Sequence, residues 1–230
     1  MMKYAWLKIA TVALLASLAL TACTTARPTQ AELDAVLATN SQLTAQVAAL
    51  SQQVALLEEQ LESTNSGLLP RALMAVNLIA DADFAGLAQL VHPAKGLRFS
   101  PYGYVDVAND LVFTAAEVSG FSADTTLRTW GSFDGTGLPI VMAFAAYYDR
   151  FVYDQDFTNP QFIGINSIIG RGNTLINLDD VYPNAAFIEF HFSSIDPQYE
   201  GMDWRSLRLV FEEHGGQWLL VGIIHDEWTI

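Results

Sequence analysis

The chain has 230 residues, 51% of them hydrophobic, and a formal net charge of −14 at pH 7. That apolar content supports a buried core and excludes a wholly disordered chain. Eleven basic residues against 25 acidic ones argue against a phosphate-backbone footprint, and a single cysteine excludes an internal disulfide framework and a cysteine-rich zinc site.

Lys3 and Lys8 open the chain as a short positive region, Ile9 to Leu20 follows as an apolar run, and Thr21, Ala22 and Cys23 come next. Positive charge, an apolar stretch and small residues before a cut mark a secretory signal. The run is shorter than the ~20 apolar residues a bilayer span needs. Leu20-Thr21-Ala22-Cys23 resembles the bacterial lipobox. That resemblance implies removal of residues 1–22 and a diacylglyceryl group on the Cys23 sulfur. It also implies acylation of the new amino terminus, where two or three chains anchor stably and one does not. The expected location is extracytoplasmic, on the cell membrane or, since Thr24 is not the retaining aspartate of that family, the outer membrane of a two-membrane host. The cut takes away Lys3 and Lys8 and no acidic residue, leaving 25 acidic and 9 basic residues, a balance of −16. Lys95 is then the one lysine left, which speaks against nucleic-acid binding and against a polybasic hold on anionic lipid.

Residues 23–32 are small and polar and read as a tether. From there a heptad runs to residue 66. Leu33, Asn40, Val47, Val54 and Leu61 take the a positions, with Val36, Leu43, Leu50 and Leu57 at d. The seam spans roughly 43 Å at 1.5 Å per residue. β-Branched a residues with leucine at d favour a parallel two-stranded coil, and one asparagine at a sets register. The e and g positions, mostly Thr, Ser and Gln, supply no interchain charge pairs. Self-association of this stalk is expected; the alternative is an amphipathic helix folded back on the head, to which Leu37 and Leu56 lend some support.

Residues 68–230 read as one globular head. Asn65-Ser66-Gly67 and Pro70 are expected to stop the stalk helix. Helical patterns follow at Arg71–Ile79 and at Phe84–Val91, the second capped by Asp83, with a short strand at Leu97–Phe99. Thr114-Ala115-Ala116-Glu117 is a capping box. Leu127–Phe133 reads as a strand ending in the turn Asp134–Gly137. Pro139–Val152 reads as a helix, Phe162–Ile169 as β-rich and Leu175–Val181 as a helical turn. Ala185–Phe192, Arg205–Glu213 and Gln217–Ile224 are strands, the last two joined by Gly215-Gly216 as a two-residue hairpin loop.

Helices first and then antiparallel strands predict an α+β fold: a long N-terminal coiled-coil helix, then short helices packed on a curved antiparallel sheet. The element order resembles the nuclear-transport-factor-2-like cone, in which ligands occupy the concave face. The phrases around Val91–Tyr102, Tyr147–Asp154 and Gly201–Phe211 resemble a family of secreted bacterial domains and lipoproteins, which implies an extracytoplasmic domain and no catalytic assignment.

No nucleotide loop, nucleophile elbow or helical histidine pair is present, so no cofactor and no metal site is expected. Asp154-Gln155-Asp156 reads as a solvated acidic loop. Period-2 alternation places Glu189 and His191 on one strand face, and Arg208 and Glu212 on the neighbouring strand. An Asp/Glu–His pair suits general acid–base work, so Glu189 and His191 are the catalytic candidates; the plainer expectation is a solvated sheet face. Arg208, Glu212, Tyr148 and Arg98 are the ligand-binding candidates. Trp204, Trp218 and Trp228 read as core. The reading that follows is a lipid-anchored surface protein whose stalk presents a head for ligand or partner binding, with an enzyme using Glu189 and His191 as the alternative.

Overall fold

The computed structural model describes residues 29–229, without the side chains of residues 57–66. Cys23 and the expected signal peptide lie outside the described residues. The chain divides into two units, Met1–Glu58 and Glu59–Ile230. The fold is α+β, as the pattern of elements predicts.

Helix α1 spans Gln30–Ala80. It starts inside the expected tether because Thr29 and Glu32 make a reciprocal cap: Glu32 N donates to Thr29 Oγ1 and Thr29 N donates to Glu32 Oε2. In the first unit its apolar seam is open to solvent, with Leu33, Val36, Leu43, Val47, Leu50 and Val54 between 45% and 62% exposed. Among the described residues no helix is long and apolar enough to cross a membrane.

In the second unit α1 does not stop at Asn65-Ser66-Gly67, and Pro70 lies inside it. A helix end was expected there. Local stop signals cost ~1 kcal/mol for glycine and ~3 for an interior proline. Leu68, Ala72, Ala75, Val76 and Ile79 recur at helical spacing and are all buried in the core, and that packing outweighs them. Asp83 caps α2 (Phe84–Ala88) through Gly86 N, a shorter helix than expected. Strands β1 (Leu97–Ser100) and β2 (Leu111–Phe113) come next, then α3 (Ala115–Ser119), whose Thr114–Glu117 capping box is complete.

Strand β3 (Arg128–Ser132) pairs antiparallel with β4 (Pro139–Met142), and only then does α4 (Phe144–Phe151) begin. The expected helix over Pro139–Val152 is thus half right. Proline is tolerated at the first residue of a strand, and Ile140-Val141 suits a pleated surface better than a helix. Strand β5 (Phe162–Ile165) and the one-turn α5 (Leu178–Val181) are both shorter than expected. β6 (Ala186–Phe192), β7 (Arg205–His214) and β8 (Gln217–Glu227) complete the head. His214 pairs with Gln217 across Gly215-Gly216, whose φ angles of 61° and 77° are the left-handed pair a two-residue hairpin requires.

Six strands form one sheet in the order β2-β1-β8-β7-β6-β5. Every pairing is antiparallel except β1 with β8, which is parallel. One face carries the main core. There Ile188, Phe190, Leu207, Leu209 and Ile223 meet the aromatic residues of α2, α4 and the β3–β4 hairpin. Trp130 stacks on Tyr147 at 3.9 Å between ring centroids, and Phe121 on Phe144 at 3.8 Å. A second, smaller apolar cluster of Val105, Leu178, Tyr182, Phe187, Val210, Val221 and Ile224 shows that the opposite face is covered too.

Candidate ligand-binding site

That cover decides where the sequence-derived candidates stand. Glu189, His191 and Arg208 do share a face, as alternation requires, but the face is not solvated: Glu189 and Arg208 are fully buried and His191 is 4% exposed. Glu189 accepts from Ile169 N and Gly170 N, each at 2.8 Å, and from Ser206 Oγ at 2.6 Å. Arg208 Nη2 donates to Glu189 Oε1 at 3.2 Å and to Gly170 O at 2.8 Å, and Nη1 donates to Asp226 Oδ2 at 2.8 Å. The His191 ring meets Ser206 Oγ at 2.8 Å and Ser193 Oγ at 3.0 Å, and burial lowers its pKa. The loop at Ile169-Gly170 is therefore clamped onto the sheet by a carboxylate, and both Glu189 oxygens already accept hydrogen bonds. Acid–base chemistry would need a reactant to reach Glu189, and the loop stands in the way.

A second ionic group lies across the same strands, on the core side. Arg205 Nε donates to Asp154 Oδ2 at 2.8 Å, Arg205 Nη2 lies 3.1 Å from Glu227 Oε2, and Arg150 pairs with Glu227 Oε1. His225 Nε2 lies 3.2 Å from Asp154 Oδ2. Asp154 is thus no solvated loop residue. Burial pushes its carboxyl up, and His225 and Arg205 more than reverse that, holding it below its ordinary value. Asp154, His225 and Glu227 bring ligand-type atoms within 4.8 Å of one another. A cation there would face two guanidinium groups that already use three of the four carboxylate oxygens, so the set works as an ion-pair cluster. Arg205 lies on an expected strand, whereas His225 and Glu227 lie past Ile224, the expected end of a strand that in fact runs to Glu227, and nothing in the sequence singles out Asp154.

The open concavities are elsewhere. A cleft of about 810 Å³ is lined by Tyr102, Tyr104, Asp106, Asp110, Asp134 and Thr174 among others. Its carboxylates are largely spent on their own loops: Asp106 accepts from Ala108 N and Asn109 N, and Asp134 from Gly135 N and Thr174 Oγ1. Asp110 accepts from Ser100 Oγ and Asp106 N, and burial pushes its carboxyl up to about 6. A second cleft of about 520 Å³ is lined by Lys95, Arg98, Val107, Val112, Asp180, Val181, Tyr182, Glu212 and Val221. No family model and no curated protein matches the chain.

This second cleft brings together two of the four ligand-binding candidates, Arg98 from β1 and Glu212 from β7. Lys95 Nζ donates to Glu212 Oε2 at 2.5 Å. Arg98 Nη1 donates to two main-chain carbonyls, Val107 O at 3.4 Å and Asp110 O at 3.1 Å. Tyr182 is 8% exposed, and its phenol oxygen is buried without a hydrogen-bond partner. The other two candidates are placed apart. Arg208 belongs to the buried clamp. Tyr148 donates from its hydroxyl to Ile79 O at 2.6 Å, tying α4 to the end of α1, and burial pushes that phenol up to about 12. Lys95, Tyr182 and the four valines were not candidates in the sequence, since nothing local relates residues 95, 182 and 212. Of the three tryptophans expected in the core, Trp204 is buried, Trp218 is half-buried against it and Trp228 is 37% exposed.

Proposed function

We propose that this is a lipid-anchored extracytoplasmic binding protein. Cys23 carries the lipid that holds it at the cell membrane or outer membrane. The heptad of α1 pairs two copies, and the head takes a ligand in the cleft of Arg98, Lys95, Glu212 and Tyr182. The observation that carries this reading is the unbroken a–d pattern, whose described apolar members from Leu33 to Val54 are exposed in the single chain and regular enough to bury themselves against a second copy. Leu20-Thr21-Ala22-Cys23 supports the anchor, and the open cleft beside a closed Glu189–Arg208 clamp favours binding over acid–base chemistry. The curved sheet carrying the Leu68–Ile79 part of α1 is compatible with a nuclear-transport-factor-2-like cone, which we include in the proposal.

Two measurements on the full chain in a bacterial host test it. Labelled palmitate should be incorporated by the wild type and lost with Cys23→Ser. A cysteine at the a position, Val47→Cys, introduced into the Cys23→Ser chain should oxidise to a covalent dimer, whereas Gln52→Cys at f should not. Equal crosslinking at both positions would remove the paired stalk, and label retained without Cys23 would remove the anchor.

A further inference from the structure

Taking the second cleft as the ligand site, we infer that its ligand is an aliphatic carboxylate, with the carboxylate on Arg98 and Tyr182 and the hydrocarbon on the valines.

The argument starts from charge. In a chain so rich in acid, two of the basic residues outside the signal line one cleft. Lys95 is compensated by Glu212 at 2.5 Å. Arg98 is not: among the described residues its bonds go to the carbonyls of Val107 and Asp110 and it makes no ion pair, a state it shares with Arg71 and Arg171, neither of which lines this cleft. Carbonyls fix a guanidinium in place without cancelling its charge, and its planar donor fork suits a carboxylate.

The second component is Tyr182. Its hydroxyl is buried and nothing accepts its proton, an arrangement that costs free energy. It lies over Gly222, where an added Cβ would stand 3.2 Å from the phenol oxygen. Gly222 is the register partner of Arg98 across β1 and β8. Burial raises the phenol pKa, while the Arg98 charge and the approach of its guanidinium to the phenol oxygen act the other way, so at neutral pH the group is a neutral donor. A hydroxyl proton without an acceptor, beside a guanidinium that no carboxylate contacts directly, matches the needs of one carboxylate. Val107, Val112, Val181 and Val221 give the rest of the wall an apolar character that rejects inorganic anions and accepts a short hydrocarbon. A free fatty acid and an aliphatic amino acid share this chemistry. Asp180, exposed at the same cleft, is the group that tells them apart, because it would pair with an α-ammonium.

The test is calorimetric titration of the full chain, prepared unlipidated, with hexanoate, norleucine, hexanol and hexylamine. Hexanoate or norleucine should bind and the other two should not. Tyr182→Phe removes a hydroxyl whose proton has no acceptor, so the fold should be kept while carboxylate affinity falls about tenfold, the value of one hydrogen bond to a charged group. Arg98→Gln should remove binding altogether. Asp180→Asn should weaken norleucine and leave hexanoate alone if the amino acid is the ligand, and change neither if the fatty acid is. Hexanol binding as tightly as hexanoate, in a manner blocked by Val221→Trp, would overturn the carboxylate but keep the cleft as a ligand site. Binding of none of the four probes would overturn both, and so would carboxylate affinity unchanged in Tyr182→Phe and Arg98→Gln.

Discussion

Glu189 and Arg208 are Cα partners across β6 and β7, and both side chains are fully buried on the sheet face turned away from the main core. Their pairing is not a plain two-body bridge, because Asp226 and the backbone of Ile169-Gly170 complete the shell.

Removing one member should therefore strand the others. Arg208→Ala leaves Glu189 and Asp226 buried without their cation and should cost roughly 3–5 kcal/mol, the usual penalty for breaking a buried pair from one side. The double variant Glu189→Gln/Arg208→Met should cost clearly less than the two single changes added together. Urea denaturation midpoints of the wild type, Glu189→Gln, Arg208→Met and the double variant check this, and strict additivity would show that the clamp is not a unit.

Asp110 sets a pH dependence. Its carboxyl is raised to about 6 in the fold against an ordinary 3.8, with burial as the main cause. The native state thus holds a proton that the unfolded chain has released between those values, and stability falls as pH rises through that window. The loss is on the order of 3 kcal/mol at 1.36 kcal/mol per unit. Asp110→Asn keeps an acceptor for Ser100 Oγ and Asp106 N and should melt higher than wild type at pH 7.5, with the gap closing by pH 3.5. A gap that persists in acid would assign the effect to packing instead.

Tyr147 is fully buried at the centre of the aromatic core, and its hydroxyl has no hydrogen-bond partner. Tyr147→Phe keeps the stack on Trp130 and removes an unsatisfied polar atom. Stability should rise by about 1 kcal/mol. A loss of that size in the denaturation midpoint would mean that the hydroxyl is satisfied by something, such as an internal water.

Asn40 is the one polar a position in the seam. If α1 pairs two copies, Asn40→Val should raise the concentration-dependent melting temperature of the helical signal. It should also broaden the oligomer distribution seen by light scattering, since a buried asparagine trades stability for register. A melting temperature independent of concentration in both proteins would argue against pairing.

Period and punctuation carried much of this structure into view. The Gly215-Gly216 hairpin, the Thr114 cap and the alternation of Glu189 and His191 against Ile188 and Phe190 are local patterns, and local patterns are legible. What escaped was decided at a distance. The helix passes Gly67 and Pro70 because its buried residues pack on strands far along the chain. The ionisable face is closed because the loop at Ile169-Gly170 folds over it, and a loop's destination has no periodicity. The cleft draws Arg98, Tyr182 and Glu212 from three separate elements, so only two of the three stood out beforehand.

The parallel pairing of Arg98, Phe99 and Ser100 with Gly222, Ile223 and Ile224 joins the first strand of the sheet to the last. Neither β1 nor β2 has another route into the sheet, since β1 sits between β2 and β8. The sheet cannot be assembled from its N-terminal side onward during synthesis; it waits for the β8 segment, and such long-separation closure slows folding. Under the proposed export that delay would be useful, because a domain lacking its closing strand stays unfolded enough to be carried across.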